Sequence, residues 1–471
     1  MTHKALSRRD FLALMGSASA AIAAGDCFQP LLGDVEGFTS GGRKPNIGVI
    51  VADDLGYGEL GCYGHKEIPT PNIDSIAKNG VKFTNGYVSC PVCSPTRAGL
   101  ITGRYQQRFG HEQNPGPPPN HDPRFGLPRS ETTIADRLKS AGYTTGCVGK
   151  WHLGFDAGLL PMDRGFDEFF GHLAGGHPYL PTKIPPRQGP IMRGNFAVEE
   201  KEYLTDAFGR EASAFIDKHH DKPFFLYLAF NAVHAPLQST DKYLERFPKI
   251  ENVKRRKFAA MLSAMDDAVG KTLDALRRNN IEENTLVFFI GDNGGPTGAT
   301  TCGNGPLKGV KGQLDEGGIR VPFLMQYKGH APAGKTYDKP VIALDITPTS
   351  LALAGGKSSD ARFDGVNLMP YLTGKSKGVP HETLYWRFSP QWAIRKGDWK
   401  LLNMSGGKDV QLYNLAIDIG EQTDLAAQKP DKVKELQADY DKWNSTLATP
   451  LWGYGAPPIP GRKKANEDES E

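Results

Sequence analysis

Four short runs of apolar residues, widely spaced along the chain, form the clearest hydrophobic pattern in this sequence. Uninterrupted runs of this length are typical of strands buried on both faces of a parallel sheet. Segments with apolar residues at helical spacing lie between them, over 204–219 and 261–278. This alternation predicts an α/β domain with a large, mostly parallel sheet flanked by helices. The four runs are Asn46–Ala52, Tyr143–Val148, Pro223–Phe230 and Thr285–Ile290.

Polar residues follow each of these runs. The carboxyl ends of parallel strands meet at one edge of a sheet, so we expect these residues to converge although they are far apart in sequence. Adjacent carboxylates at such a place are costly unless they are solvated or bound to a cation, and solvated turn residues are the commoner case. The clusters are Asp53 with Asp54, Lys150 with His152, His234, and Asp292 with Asn293.

Asp53, Asp54, Asp292 and Asn293 offer only oxygen atoms as ligands. Such a set suits Ca²⁺ or Mg²⁺ and argues against zinc. Lys150 and His152 are two residues apart, so in an extended segment their side chains would point to the same side.

The pattern changes at about residue 360. Short strand-like runs separated by turn residues predict a small antiparallel sheet, with a helix near 432–446 packed on it. The domains predicted in this way are a catalytic domain over 45–358, a C-terminal subdomain over 359–455 and a charged tail over 456–471. The strand-like runs are Gln391–Arg395, Trp399–Leu402 and Gln411–Leu415.

A helix is predicted to begin near Cys93, with Ser94 as its N-cap, Pro95 in its first turn and Gly103 at its end. Cys93 would then lie at the positive end of the helix dipole with Arg97 one turn on. Such a place suits an anion or an activated nucleophile. The plainer alternative is a small buried cysteine with no chemical role.

The composition excludes few classes of protein. The 471 residues are 39% hydrophobic and 23% charged, as in an ordinary soluble globular protein, and the net charge of +3 lacks the strong basic bias of a nucleic-acid binder. The six cysteines imply no disulfide framework. Cys90 and Cys93 have the spacing of a redox pair, which we do not favour because no thioredoxin-like context surrounds them.

The N-terminus has the features of an export signal. Ser7-Arg8-Arg9-Asp10-Phe11-Leu12 is followed by an alanine-rich apolar run that is too short to span a membrane. We therefore predict a twin-arginine signal peptide over 1–24, a linker over 25–44 and a periplasmic or secreted protein.

Several motifs together resemble those of the type I sulfatases, the arylsulfatase-like members of the alkaline phosphatase superfamily. The resemblance extends from about Asn46 to Leu425 and includes a twelve-residue signature that begins at Cys93. The matching segments are Cys93-Ser-Pro-Thr-Arg97 with Thr102-Gly103-Arg104, Gly149-Lys-Trp-His-Leu-Gly154, His234 with Pro236, Asp292-Asn293, and Lys311.

The resemblance implies an alkaline-phosphatase-like fold and a sulfatase, a hydrolase of sulfuric esters. In this family the cysteine, here Cys93, is oxidised after translation to formylglycine (3-oxoalanine), and the hydrated aldehyde is the nucleophile. The resemblance also implies Ca²⁺, in preference to Mg²⁺, as the ion held by the four oxygen-bearing residues.

The resemblance further implies roles for the other residues. One hydroxyl of the hydrate attacks sulfur with assistance from Asp292, and His234, with Lys311, protonates the departing oxygen. His152 then takes a proton from the second hydroxyl, so that the aldehyde re-forms and sulfate leaves. The residues that hold the hydrate in place are Arg97 and Lys150.

The expected substrate is a sulfated carbohydrate or an aryl sulfate, and His177, in a glycine-rich loop, is expected to contact it. The expected protein partners are a formylglycine-generating enzyme and the twin-arginine export machinery, with no nucleic acid and no membrane span. One alternative is a phosphonate or phosphate ester hydrolase of the same superfamily. Another is a non-catalytic binder of sulfated glycans.

Overall fold

The structure is a computed structural model that describes residues 43–116, 122, 124–182, 188–356 and 362–457. The predicted signal peptide, Cys27 and nearly all of the predicted linker and tail lie outside the described residues. Within the described ranges no helix has the length and apolar character needed to cross a membrane.

Sixteen strands form in the part of the chain that the structure describes. They are β1 (Asn46–Ala52), β2 (Val81–Phe83), β3 (Gly86–Tyr87), β4 (Thr144–Lys150), β5 (Glu168–His172), β6 (Ile191–Arg193), β7 (Phe196–Val198), β8 (Phe224–Ala229), β9 (Thr285–Gly291), β10 (Phe323–Gln326), β11 (Lys335–Tyr337), β12 (Val341–Ile342), β13 (Thr383–Phe388), β14 (Gln391–Lys396), β15 (Trp399–Asn403) and β16 (Gln411–Asn414).

Eleven α-helices lie in the same described ranges, together with short 3₁₀ turns. They are α1 (Pro71–Lys78), α2 (Cys93–Thr102), α3 (Ile134–Ser140), α4 (Leu204–His219), α5 (Asp241–Leu244), α6 (Val253–Arg278), α7 (Thr297–Thr300), α8 (Glu316–Ile319), α9 (Ile346–Leu353), α10 (Met369–Leu372) and α11 (Pro430–Asn444).

The predicted large mixed sheet is confirmed. Its ten strands run in the order β11-β2-β10-β9-β1-β8-β4-β5-β6-β7, and the central five, β9 to β5, are parallel. The four apolar runs of the sequence are β1, β4, β8 and β9, which are direct neighbours in the order β9-β1-β8-β4. Their carboxyl ends therefore share one edge of the sheet.

Burial on both faces explains the uninterrupted apolar runs. Along β1, Ile47, Val49 and Val51 belong to one hydrophobic cluster, whereas Ile50 and Ala52 belong to a second cluster on the opposite face. Helices α2, α3 and α9 contribute to the first cluster, and α1, α4 and α6 to the second. Apolar burial of this kind contributes about 25 cal/mol per Å² to stability.

The separate C-terminal sheet is also confirmed. Strands β13 to β16 are sequential and antiparallel, and α11 packs on them, with the rings of Trp392 and Tyr440 stacked 4.4 Å apart. Side chains join this sheet to the preceding part of the chain: Trp386 Nε1 donates over 2.7 Å to the carbonyl of Val88, which directly follows β3. The boundary between residues 358 and 359 remains a prediction.

A buried ion pair on β15 also joins the C-terminal sheet to the preceding part of the chain. Lys400 Nζ lies 3.0 Å from Glu316 at the start of α8 and 2.8 Å from Glu421, and all three side chains are buried. Tyr87 donates to the same Glu316 carboxylate over 2.6 Å. The start of α8, five residues after the predicted site residue Lys311 along the chain, is thus fixed to the C-terminal sheet.

We predict that Lys400→Met destabilises the protein by about 3–5 kcal/mol, because the buried Glu421 would lose the cation it pairs with and Glu316 would lose one of its two, keeping Arg320. Urea unfolding followed by tryptophan fluorescence measures the change. Lys396→Met on β14 is the matched control, because Lys396 pairs with Glu435 and Asp439 at the surface, where ion pairs contribute little. Equal losses in the two variants would contradict the prediction.

Candidate active site

Helix α2 brings Cys93 to the edge where the four strands end. The helix begins at Cys93, with Val92 as N-cap, so the prediction that Ser94 caps it was wrong. The backbone N–H of Ser94 is instead satisfied by Asn114 Oδ1 at 2.9 Å. Gly103 ends the helix as predicted, in the left-handed conformation (φ 69°).

The predicted oxygen ligands do converge. The backbone N–H of Asp54 donates to Asp292 Oδ1 over 3.1 Å, and Asn293 Nδ2 donates to Asp54 Oδ1 over 2.7 Å. Cys93 Sγ lies 3.5 Å from Asp53 Oδ1. All five of these side chains are at most 2% exposed.

One atom of this group lacks a partner. Asn293 Oδ1 is buried and accepts no hydrogen bond from the described residues. A bare buried acceptor costs about 1–3 kcal/mol, and a cation would satisfy it. Asp53, Asp54, Cys93 and His234 also each offer a ligand atom, and these atoms lie within 4.8 Å of one another. The residues present therefore fit a hard divalent cation.

Three cationic side chains face the three carboxylates. Arg97 donates to one oxygen of Asp292 through both Nε (3.0 Å) and a terminal nitrogen (2.7 Å). The other two cations are Lys150, at the end of β4, and Lys311, in the loop before α8. The remaining pairs are Lys150 Nζ with Asp53 Oδ2 at 2.6 Å and Lys311 Nζ with Asp54 Oδ1 at 2.7 Å.

Burial raises the pKa values of the acidic side chains in this group, whereas the neighbouring positive charges lower them. Burial alone would raise the pKa of Asp53, but Lys150, His234 and Arg97 outweigh it and hold that pKa well below its usual value. Burial and the negative Asp53 raise the pKa of the Cys93 thiol to about 12. An unmodified Cys93 is therefore a neutral thiol near pH 7, a form with little nucleophilicity.

His152 follows the end of β4 in a left-handed conformation (φ 58°), so the predicted extended geometry was wrong at this residue. Its backbone carbonyl accepts from Ser94 Oγ over 2.5 Å. Its ring packs against Gly175, where an added Cβ would lie 2.6 Å from the ring. Burial and the nearby Lys150 lower the pKa of His152 well below its usual value, which keeps the ring neutral.

His234 lies on the turn after β8 and is more open. Its Nδ1 lies 2.6 Å from the carbonyl of Ala235; a carbonyl only accepts, so Nδ1 carries the proton. Nε2 is then directed towards the site, 3.7 Å from Asp54 Oδ2. The side chains of His234 and Lys311 are 26% and 18% exposed, whereas the other residues of the group are almost sealed.

His177 occupies a different position. Its Nδ1 lies 2.7 Å from the carbonyl of Pro178, and its ring lies 5.1 Å from that of His172. In the same loop, Gly175 lies against the ring of His152 and Gly176 lies against the ring of His234. A contact between His177 and substrate stays a prediction.

Sequence reasoning missed the residues that hold the histidines in place. His111 Nε2 lies 2.7 Å from Ser94 Oγ. The single proton of that hydroxyl is donated to the His152 carbonyl, so His111 Nε2 is the donor and Ser94 Oγ the acceptor in the bond between them. Tyr179 contacts the backbone of His234. Ser94 stands in the matched signature that begins at Cys93, and Tyr179 follows His177 in the glycine-rich loop, but nothing in the sequence indicates the partners of either residue.

A protein-family model described as Sulfatase matches residues 45–356. The chain belongs to the sulfatase family. Human arylsulfatase A is 37% identical over 84% of this chain and 82% of its own length, and rat N-acetylgalactosamine-6-sulfatase is 35% identical over 82% and 76%. The crystal structure of Ps i-CgsB is 39% identical with a TM-score of 0.82, covering 87% of this chain and 95% of that one.

These similarities extend over most of both chains, so this protein is a sulfatase, an enzyme that hydrolyses sulfuric esters. The predicted fold class and reaction are both confirmed. In the part of the chain that the structure describes, no disulfide forms, and Cys62, Cys90, Cys93, Cys147 and Cys302 are free thiols.

We predict that Gly175→Ala in this sulfatase lowers kcat about a hundredfold, because the added Cβ displaces the His152 ring and small misplacements of catalytic groups have effects of this size. Initial rates with 4-nitrophenyl sulfate measure the loss. Gly298→Ala, where an added Cβ would meet open space, is the control and should retain full activity. Full activity of Gly175→Ala would contradict the placement of His152 against this loop.

Proposed function

We propose that this sulfatase acts on sulfated carbohydrates through a formylglycine derived from Cys93. The observation that carries the proposal is the position of Cys93, sealed at the start of α2 with Asp53 at 3.5 Å and Lys150 and Arg97 beside that carboxylate. The thiol itself is poorly suited to attack, as its raised pKa indicates. This supports a role for Cys93 as a precursor.

A divalent ion, Ca²⁺ in preference to Mg²⁺, would be held by Asp53, Asp54, Asp292 and Asn293. The orphaned Asn293 Oδ1 and the oxygen-only character of the set support this assignment. When bound, such an ion withdraws negative charge from sulfate oxygens and so favours attack at sulfur.

A hydrated aldehyde at residue 93 supplies one hydroxyl for attack at sulfur and a second for the release of sulfate. Arg97 and Lys150, both fully buried, fix its position and add positive charge where charge accumulates in the transition state. Asp292, held by Arg97, assists the first hydroxyl. His152 is neutral and sealed, which suits a base that takes a proton from the second hydroxyl.

The leaving group is placed on the side of His234 and Lys311. These two side chains are the most exposed of the group, so the alcohol part of the substrate has room there. His234 Nε2 faces the site, and in the imidazolium form, with a proton on each ring nitrogen, it can donate the Nε2 proton to the departing oxygen, with Lys311 nearby on Asp54.

The carbohydrate preference draws support from similar proteins. The same Ps i-CgsB was solved in complex with k-i-k-neocarrahexaose, and a rat relative is named for the 6-sulfate of N-acetylgalactosamine. We accordingly propose a sulfated oligosaccharide as substrate. His177 is retained as a candidate contact because its loop lies against both histidines.

Export is part of the proposal. The twin arginines Arg8 and Arg9 with the apolar run that follows them support transport of the folded protein to the periplasm or beyond. Oxidation of Cys93 by a formylglycine-generating enzyme would then precede export.

The ester preference tests the proposed reaction. We expect faster hydrolysis of sulfated oligosaccharides, including k-i-k-neocarrahexaose, than of a phosphate diester or a phosphonate ester, measured as kcat/KM with ion chromatography of the released anion. A preference for the phosphorus esters would favour the alternative hydrolase of the same superfamily.

The Cys93→Ala variant tests the modified residue and should lose all activity. Its matched control is Cys90→Ala, three residues earlier, which should retain activity. The mass of the peptide that contains residue 93 reports the modification, because formylglycine replaces the CH₂SH group by an aldehyde. A fully active protein with an unmodified thiol at residue 93 would refute the formylglycine assignment.

We predict that Ca²⁺ raises the melting temperature of protein treated first with EDTA, because a ligand at 100 times its Kd stabilises by about 2.7 kcal/mol. Asn293→Leu should abolish the shift, since it removes an oxygen ligand, whereas Asp274→Asn, an exposed acid on α6, should preserve it. A larger shift with Mg²⁺ would reassign the ion, and no shift with either ion would contradict the site.

A further inference from the structure

His234 is carried by a tight turn, residues 231–234, that is tied to β1 on one side. Its own N–H donates to the carbonyl of Asn231 over 2.9 Å. The backbone N–H of Val233 donates to the carbonyl of Asp53 (2.8 Å), and that of Asp53 donates to Ala232 (2.9 Å). These bonds fix the middle of the turn and leave the carbonyl of His234 to be held from elsewhere.

Tyr179 holds the other side of the turn. Its hydroxyl lies within hydrogen-bond distance of two carbonyls, those of Asn231 and of His234 (2.8 Å), so its one proton is shared between the two ends of the turn. The side chain is 1% exposed. Burial raises the pKa of Tyr179 well above its usual value, so the hydroxyl remains a donor across the range in which the enzyme can be assayed.

We propose that Tyr179 is a positioning residue that sets the His234 imidazole against the departing oxygen of the substrate. The proposal rests on the role of His234 given under the proposed function. Tyr179 does not touch the reacting atoms; it acts through the backbone of His234.

The geometry shows why such support matters. The ring of His234 is partly exposed, and its Nδ1 hydrogen bond is to the carbonyl of the very next residue, Ala235, which moves with it. The direction of Nε2 therefore depends on the backbone of residue 234, together with the packing of the ring near Gly176. The ring of His152, in contrast, is buried and packs against Gly175, and the Ser94 hydroxyl holds its backbone carbonyl as well.

The effect can be separated from a general loss of stability by the choice of leaving group. Phenol is a much weaker acid than 4-nitrophenol, so phenyl sulfate depends more on proton donation to its leaving oxygen than 4-nitrophenyl sulfate does. We expect Tyr179→Phe to lower kcat for phenyl sulfate about tenfold more than for 4-nitrophenyl sulfate, as expected for a displaced catalytic group.

The matched control is Tyr203→Phe. The Tyr203 ring lies 6.0 Å from that of Tyr179, it is similarly buried, and its hydroxyl donates to the carbonyl of Gln238 over 2.9 Å without touching His234. This variant should show the same fractional change for both esters. Hydrogen exchange followed by mass spectrometry gives a readout independent of turnover: peptides spanning 231–236 should exchange faster in Tyr179→Phe than in Tyr203→Phe.

His234→Ala separates the two levels of the argument. If it shows the leaving-group difference and Tyr179→Phe does not, Tyr179 is not a positioning residue and the role of His234 stands. If His234→Ala itself shows no difference between the esters, His234 is not the acid, and the proposal for Tyr179 falls with it. Equal exchange of residues 231–236 in the two tyrosine variants would also overturn the proposal.

Discussion

Charge pairing among buried side chains is the interaction on which the rest of this site depends. Three carboxylates lie almost fully buried at the ends of two adjacent strands, where an unpaired charge costs several kcal/mol. Each has a cation within 2.7 Å, so the three negative charges face three positive ones. Removal of the cation or the carboxylate of any one pair would leave the other charge buried and unpaired. The pairs are Asp53 with Lys150, Asp54 with Lys311, and Asp292 with Arg97.

The register of the parallel strands makes this pairing possible. Ala52 of β1 is paired with Gly291 of β9, so the carboxylates that follow, at 53 and 292, start from the same level. Ala229 of β8 is paired with Val51 of β1 on one side and with Gly149 of β4 on the other. Lys150, the next residue of β4, therefore lies near the level at which β1 ends. A slip of one residue on any strand would turn these side chains to the other face. Packing of the apolar strands thus determines the electrostatics of their ends.

Much of this arrangement could be predicted from the sequence, because it depends on strong local patterns. The uninterrupted apolar runs indicate buried parallel strands, and parallel strands place their ends together. The sequence placed the start of α2 correctly but not its N-cap, since the backbone N–H of Ser94 is satisfied by Asn114, twenty residues away. The left-handed His152 and the contact of Tyr179 with His234 depend on the path of a loop without periodicity, which no local pattern determines.

The two histidines differ in a way that matches their proposed tasks. The ring of His152 is buried against the glycine-rich loop and its backbone is held by Ser94 of α2, so its position does not depend on the shape of the substrate. His234 lies at the open side with Lys311, where the alcohol of the substrate must fit. A base that always meets the same atoms gains from being fixed, whereas an acid that serves the leaving group must tolerate its shape. The backbone support of His234 by Tyr179 reconciles an exposed ring with a defined direction.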